Sequence, residues 1–278
     1  MSERKISSLL EDIKDRLDTA KTPTETNLSL LLDGVKESVL KVLAEEKDNS
    51  GKMRLSSIGR KDRQLWYDYK GYYKEPLTSA TKVKFLLGHL IEEVTLFLAR
   101  EAGHKVEKCQ EEVKVSNVKG HIDAMIDGEL VDVKSASPYS FRKFCDGSLE
   151  TNDPFGYIYQ LSSYGHALGK DTGYFLAVDK SNGFMTLLKT DLTKADPQKR
   201  IKKLKTLLKK DDPPERCYQE TVERNGNKKL SIGCKFCDFK RECWKDKNNG
   251  TGLRKFIYAS GAEFYTHIEK EPRVKEDF

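Results

Sequence analysis

Residues 120–134, Gly-His-Ile-Asp-Ala-Met-Ile-Asp-Gly-Glu-Leu-Val-Asp-Val-Lys, restrict the fold more than any other part of the chain. Asp127-Gly128 lies between two short apolar runs and is a strong two-residue hairpin signal. Side chains alternate along a strand, so Asp132 and Lys134 share one face while Val131 and Val133 pack on the other. A hairpin closing at 127–128 brings Asp123 back beside Asp132.

The rest of the chain supplies a domain around this hairpin. Its 278 residues are enough for one sizeable core, or for one domain with an appended module. With 37% hydrophobic and 34% charged residues it reads as a soluble, highly charged globular protein. There is no apolar run long enough to span a membrane and no secretory signal, so an intracellular protein is expected. The formal charge of +6, from 50 basic and 44 acidic residues, is too mild to indicate nucleic acid by itself. Local clusters of cations must do that.

Helical spacing of Ile6, Leu9, Leu10, Ile13 and Leu17, then of Leu28, Leu31, Leu32, Val35, Val39 and Leu43, predicts two N-terminal helices. A longer helix is predicted over roughly 81–102, with Val83, Leu87, Ile91, Val94 and Leu98 as its apolar stripe and Gly103 as a C-terminal cap. Strands follow around Val106 and over 112–115, 120–126 and 130–134. A helix is predicted over 157–168, a strand pair over 174–178 and 184–188, and a basic helix over 197–210. This order gives an α/β fold, a mixed central sheet flanked by helices. The expected divisions are an N-terminal helical arm (1–50), the core (51–212) and a cysteine-rich tail (213–278).

Asp123, Asp132 and Lys134 have the chemistry of a hard-cation site. Carboxylates hold Mg2+, and a lysine orients or activates water attacking a phosphodiester. Glu92 is the best third carboxylate. It follows Gly88 by four on the long helix, where a glycine would allow close approach to the sheet. Leu90, Ile91 and Val94 surround it, and a carboxylate in such a setting is costly unless paired or bound to metal. Glu93 points about 100° away. Gln160 and Tyr164, four apart, share a helix face and offer an amide and a hydroxyl to a phosphate or to the lysine. Taken singly, each feature also describes a solvated edge or an ordinary helix surface. The information lies in the ordered set Gly88-x3-Glu92, Gly120-x2-Asp123, Asp132-x-Lys134, Gln160-x3-Tyr164.

That set resembles the PD-(D/E)XK nuclease superfamily and, within it, the RecB-like exonucleases, over roughly residues 55–190. The resemblance implies a restriction-endonuclease-like core. It implies Glu92, Asp123, Asp132 and the Val133 carbonyl as ligands of Mg2+ or Mn2+, and Lys134 as the catalytic lysine. Gln160 and Tyr164 become the substrate-orienting pair. Two positions depart from the pattern: many members carry His where Glu92 stands, and Asp132 replaces the commoner Glu, shortening the reach by one methylene. His121 is a possible metal neighbour, whereas His89, His104 and His166 read as structural.

Six cysteines in an intracellular protein suggest ligands or buried thiols rather than disulfides. Cys109 and Cys145 stand alone. Cys217, Cys234, Cys237 and Cys243 crowd the tail and suffice to bind Zn2+ or an iron-sulfur cluster. The C-x2-C-x5-C triplet is similar to that of the AddB and CRISPR spacer-adaptation nucleases, which implies a four-iron four-sulfur cluster, with zinc as the alternative. Their upstream cysteine would fall near 59–63, where this chain has none, and Cys217 is the expected replacement.

Arg60, Lys61 and Arg63 beside Trp66, Tyr67, Tyr69, Tyr72 and Tyr73 form one candidate DNA-binding group, and Lys202, Lys203 and Lys205 another. Core packing is the expected role of Trp66 and Tyr67. The resemblance implies a metal-dependent DNA exonuclease acting on single strands or free ends. It further suggests a phage or bacterial protein of replication, recombination or repair, in the cytoplasm of a bacterium or phage-infected host, with a possible protein partner in those processes. The alternatives are a structure-specific endonuclease on the same core, or a non-catalytic DNA-binding module with a zinc tail.

Overall fold

A computed structural model describes residues 4–43, 51–74 and 76–277. Its helices are α1 (Leu9–Asp18), α2 (Glu25–Leu43), α3 (Asp62–Tyr69), α4 (Ser79–Glu101), α5 (Pro138–Cys145), α6 (Tyr157–Leu168), α7 (Pro197–Leu207), α8 (Ile232–Lys235) and α9 (Lys240–Cys243). The first strands are β1 (Val106–Glu107), β2 (Glu112–Val115), β3 (Val118–His121), β4 (Ala124–Ile126) and β5 (Glu129–Ala136). They are followed by β6 (Thr172–Asp179), β7 (Met185–Asp191), β8 (Thr221–Val222), β9 (Lys228–Lys229), β10 (Arg254–Tyr258) and β11 (Gly261–His267). No described helix is long and apolar enough to cross a membrane.

The chain divides into two compact units. The first comprises Met1–Asp48, Met53–Gly59 and Leu77–Lys202. Its mixed five-stranded sheet has the order β1-β4-β5-β6-β7, with β5 and β6 parallel and the other neighbours antiparallel. The parallel pair requires a crossover, which α5 and α6 supply. β2 and β3 form a separate hairpin.

The core beneath the sheet joins Val131, Val133 and Leu176 to Leu96 and Ala99 of α4 and to Ile6, Leu9 and Ile13. The N-terminal segment is therefore part of this unit rather than an appended arm. On α4 the buried residues are Thr95, Leu96 and Ala99, while Val83, Leu87 and Val94 of the predicted stripe are exposed. This helix is apolar on more than one side, so spacing alone selected the wrong stripe.

The predicted strand 120–126 is interrupted at Ile122 and Asp123. There the chain leaves the β2–β3 hairpin, through bonds from Ile122 N–H to the Glu111 carbonyl (3.1 Å) and from Gln110 N–H to the Asp123 carbonyl (3.3 Å), and enters β4. The expected hairpin then forms. Asp127 and Gly128 take φ of 52° and 78°, the left-handed backbone of a tight turn, and Ala124 pairs with Val131. The Asp127 carboxylate accepts from Lys105 N–H (3.0 Å) and lies 2.6 Å from Nδ1 of buried His104, whose Nε2 is 3.1 Å from Asp12 on α1.

The second unit comprises Asn49–Lys52, Arg60–Pro76 and Lys203–Phe278. Trp66 and Tyr67 of α3 are buried, as expected, and Tyr67 stacks on Phe239 at 5.7 Å. A four-stranded antiparallel sheet, β10-β11-β9-β8, covers a small core of Leu230, Cys234, Trp244, Leu253 and Phe264. No strand was predicted there. β8 and β9 have two residues each, β10 opens on Arg254-Lys255, and Phe264 and Tyr265 of β11 are adjacent, so there is little alternation to read.

At the end of α4, Glu101 binds the two N-terminal helices. Its Oε1 accepts from Thr24 N–H (3.0 Å), Thr24 Oγ1 (3.0 Å) and Asn27 Nδ2 (2.8 Å), and its Oε2 from Arg16 (2.6 Å). Burial alone would raise its pKa, but these donors hold it at about 2, below the ordinary 4.5. Its contribution to stability is complete above the unfolded pKa and disappears as pH falls from about 4.5 to about 2. Glu101→Gln should lower the urea-unfolding free energy at neutral pH by about 2 kcal/mol, and the gap from the native chain should close through that acid window.

Candidate active site

β5 and α6 deliver most of the candidate residues, and the hairpin delivers the remaining strand carboxylate. Asp132 is fully buried in β5. Lys134, two residues on, returns its ammonium to Asp132 Oδ2 at 2.5 Å. On α6, Gln160 Nε2 donates to Asp132 Oδ1 (3.2 Å) and lies 3.3 Å from the Tyr164 hydroxyl. Asp123, one step beyond the Ala124–Val131 pair, accepts the Val133 N–H on Oδ2 at 2.7 Å. Glu92 is on α4, close enough to feel the charges of Asp132 and Lys134. The sequence-predicted set of Glu92, Asp123, Asp132, Val133, Lys134, Gln160 and Tyr164 is thus gathered in the first unit.

The electrostatics are those of crowded anions. Burial first, then repulsion from Glu93 and Asp132, pushes Glu92 up to about 7 despite Lys134. Burial and the charges of Asp132 and Glu92 raise Asp123 well above the usual carboxylate range. Asp132 is raised by burial against the pull of Lys134. Burial favours a neutral Lys134, but Asp132 and Asp123 outweigh it and raise its pKa. Three poorly solvated carboxylates thus share one ammonium. Asp132 Oδ2 accepts no aligned hydrogen bond although Lys134 is close.

An all-oxygen anionic set with charge left over fits a hard divalent cation. As the side chains stand, no group of three or more His, Cys, Asp or Glu among the described residues is arranged to hold a metal. Each carboxylate has been drawn to a different neighbour: Glu92 Oε1 to Gln110 Nε2 (2.7 Å), Asp123 to Val133 N–H, and Asp132 to Lys134 and Gln160.

Two participants were absent from the sequence reading. Gln110 reaches Glu92 from a turn where its own φ is 56°, and nothing in its local pattern signals this. Tyr157 lies beneath the Lys134 ammonium, 4.8 Å from ring centre to Nζ. Its spacing of three before Gln160 on one helix could have disclosed it. Gly88 is less demanding than expected, since a Cβ there would meet Ser135 Oγ at an ordinary 3.5 Å. Glu93 turns instead towards α2, where a Cβ on Gly34 would collide with its carboxylate. His121 is exposed on β3, whose alternation turns it away from the buried Gly120.

The cysteines and most of the predicted DNA contacts lie in the second unit. Burial raises Cys217 and Cys234 and pushes Cys237 up to about 12, and the charges of the four thiols act on one another. Backbone N–H groups of Gln64 and Arg63 favour the Cys217 thiolate, as that of Phe239 favours Cys237. Arg63, predicted as a DNA contact, is turned inward. Its guanidinium donates to Cys243 Sγ (3.1 Å), the Pro214 carbonyl (2.5 Å) and the Tyr67 hydroxyl (3.0 Å). Burial thus favours the protonated thiol at Cys217, Cys234 and Cys237, and among the described residues the cysteines, like the carboxylates, are not arranged to hold a metal as they stand. Lys61 lies over the Tyr218 ring at 5.4 Å, and Lys203 pairs with Asp62 at 3.0 Å. Arg60 and Lys205 belong to this unit too, while Lys202 ends the first.

No protein-family model matches the chain, and no curated protein does. Among solved structures it is similar to an alkaline exonuclease from Laribacter hongkongensis, at 14% identity over 62% of this chain and 88% of that one, with a TM-score of 0.37. A structure of that exonuclease in complex with dAMP matches at 15% identity over the same shares, with a TM-score of 0.36. A phage-related exonuclease from Haemophilus somnus 129PT matches at 17% identity over 56% of this chain and 90% of that one, with a TM-score of 0.39. Likeness this loose carries nothing about activity, and the functional reading stands on the side chains.

The site's floor depends on Gly120, where a Cβ would come within 2.8 Å of both Leu55 Cβ and Tyr164 Cε1. Gly120→Ala should destabilise the protein by about 1–3 kcal/mol through overpacking. Gly88→Ala, in open helix, should be neutral or stabilising by up to about 1 kcal/mol. Paired chemical-denaturation curves check both.

Proposed function

We propose that the chain is a metal-dependent DNA exonuclease that hydrolyses phosphodiester bonds, serving DNA replication, recombination or repair in a phage or bacterium. The observation that carries this reading is the arrangement around Asp132: one buried carboxylate held between Lys134 and Gln160, with Asp123 and Glu92 in electrostatic contact. Glu92, Asp123, Asp132, Lys134 and Gln160 all belong to the ordered motif set that resembles the RecB-like nucleases.

Glu92, Asp123, Asp132 and the Val133 carbonyl would hold Mg2+ or Mn2+, which when bound supplies Lewis acidity to the phosphate and acidifies water. The protein's own residues do the positioning. Lys134 Nζ, kept charged by its carboxylate neighbours, offsets negative charge developing on the phosphate. Gln160 fixes the orientation of Asp132, and Tyr164 closes the floor against water. The nearly buried Lys134 side chain leaves little solvent to screen its charge. Basic residues outside this site, Arg60, Lys61, Lys202, Lys203 and Lys205, are proposed to neutralise the DNA backbone.

The expected substrate is DNA with a free end. Lys134→Ala should abolish release of nucleotides from end-labelled DNA in Mg2+ or Mn2+ while leaving DNA binding within about twofold. Turnover at the native rate in Lys134→Ala would defeat the assignment. Cleavage of a closed circle by the native protein would make it an endonuclease instead.

Cys217, Cys234, Cys237 and Cys243 are proposed to hold a four-iron four-sulfur cluster, with zinc as the alternative metal. Anaerobically purified protein should be brown, with about four irons per chain, and Cys234→Ser combined with Cys237→Ser should lose both colour and iron. A colourless protein with one zinc per chain would replace the cluster with zinc.

A further inference from the structure

An aromatic column rises beside the candidate lysine and ends in an uncovered ring. Its base is the buried Phe175, against which Phe144 of α5 packs at 5.7 Å. Phe144 stacks with Tyr157 at 6.4 Å, the two rings inclined by 28°. Tyr157 bears the Lys134 ammonium over its ring and stacks with Phe155 at 5.5 Å, again at 28°. Phe155 is 54% exposed.

Single exposed apolar residues are ordinary on protein surfaces. This one differs in how firmly it is held and in what surrounds it. Asp153 caps the start of α6, its Oδ1 accepting the Gly156 N–H (2.8 Å) and its Oδ2 the Ile158 N–H (2.9 Å). Gly156 lies directly against Gly59, where a Cβ on either glycine would collide with the other's backbone. Phe155, between Asp153 and Gly156, is thus presented from a braced loop. On α5, which supplies Phe144, the exposed Tyr139 ring lies 5.3 Å from Lys143 Nζ and 5.8 Å from the Arg142 guanidinium. Lys143 Nζ also donates to the Asn152 carbonyl (3.2 Å), next to the loop that presents Phe155. Open aromatic rings with cations beside them are the elements of a single-strand groove, in which bases stack and phosphates are neutralised. Bases inside a duplex are already stacked on their neighbours and offer no free face.

We propose that Phe155 is a stacking platform for a base of single-stranded DNA, holding the strand two ring contacts away from Lys134. The inference rests on the reading of the site as a DNA nuclease, and it makes the substrate class single-stranded. Arg142 and Lys143 would steady the backbone of the same strand.

The test is binding of fluorescently labelled oligothymidylate to the full chain in EDTA, read by anisotropy, beside an abasic oligomer of equal length. Phe155→Ala should weaken oligothymidylate binding by roughly tenfold, leave the abasic oligomer unchanged, and keep the native melting temperature. Phe155→Trp should restore binding. Equal binding of oligothymidylate by Phe155→Ala and the native chain, or equal losses on both oligomers, would overturn the platform. If Phe155→Ala melts early, Phe155→Leu decides, since it keeps apolar bulk without a π face: native affinity in that variant also overturns the proposal. Hydrolysis is absent from this measurement, so the two readings fail separately. Base-dependent binding by a native chain that cuts no DNA defeats the nuclease alone. Cutting by a native chain whose Phe155→Ala variant binds unchanged defeats the platform alone.

Discussion

The register of the β4–β5 hairpin is the constraint on which the candidate site depends. With the turn at Asp127-Gly128, Ala124 faces Val131, Asp123 falls beside Asp132, and Val131 and Val133 point into the core. A slip of one residue would exchange the faces of β5, turning Lys134 into the apolar layer and the valines towards Gln160. The turn is held from outside the sheet by His104 and Lys105, and through His104 by Asp12 of the first helix. The core and the site are therefore consequences of one pairing.

Local signals account for most of what the sequence disclosed. The Asp-Gly turn, the alternation around Asp132 and the helix over 157–168 each depend on residues close together in the chain, and the structure contains all three. What was not legible depends on partners distant in sequence. Val83, Leu87 and Val94 have helical spacing, yet Leu96 and Ala99 are buried, because packing against β5, α1 and α2 decides which side of α4 is covered. The interruption at Ile122 arises where one sheet hands the chain to another. Gln110 finds Glu92 across a turn. The strands around the cysteine region carry Lys228, Lys229, Arg254 and Lys255, charges that mask their period.

Arg63 shows how position alone can mislead. In the sequence it is a cation among aromatics, a pattern suited to DNA. In the fold it is a cation among thiols, its three donors directed to a sulfur, a carbonyl and a phenol. A guanidinium cannot lose its proton under ordinary conditions, so it brings a permanent positive charge to Cys243, in a group where burial raises Cys217, Cys234 and Cys237. α3 is fastened to the cysteine region by that charge, by the N–H groups near Cys217 and by the Tyr67–Phe239 stack.

Glu101 and Glu92 occupy one helix, nine positions apart, or about 13 Å along its axis. One end of that span is gripped by Arg16, Thr24 and Asn27, and the other places a carboxylate at the candidate site. A helix over this distance transmits position like a rod. The N-terminal residues thus act as a vice on its far end, and the placing of Glu92 is tied to side chains more than two helical turns away.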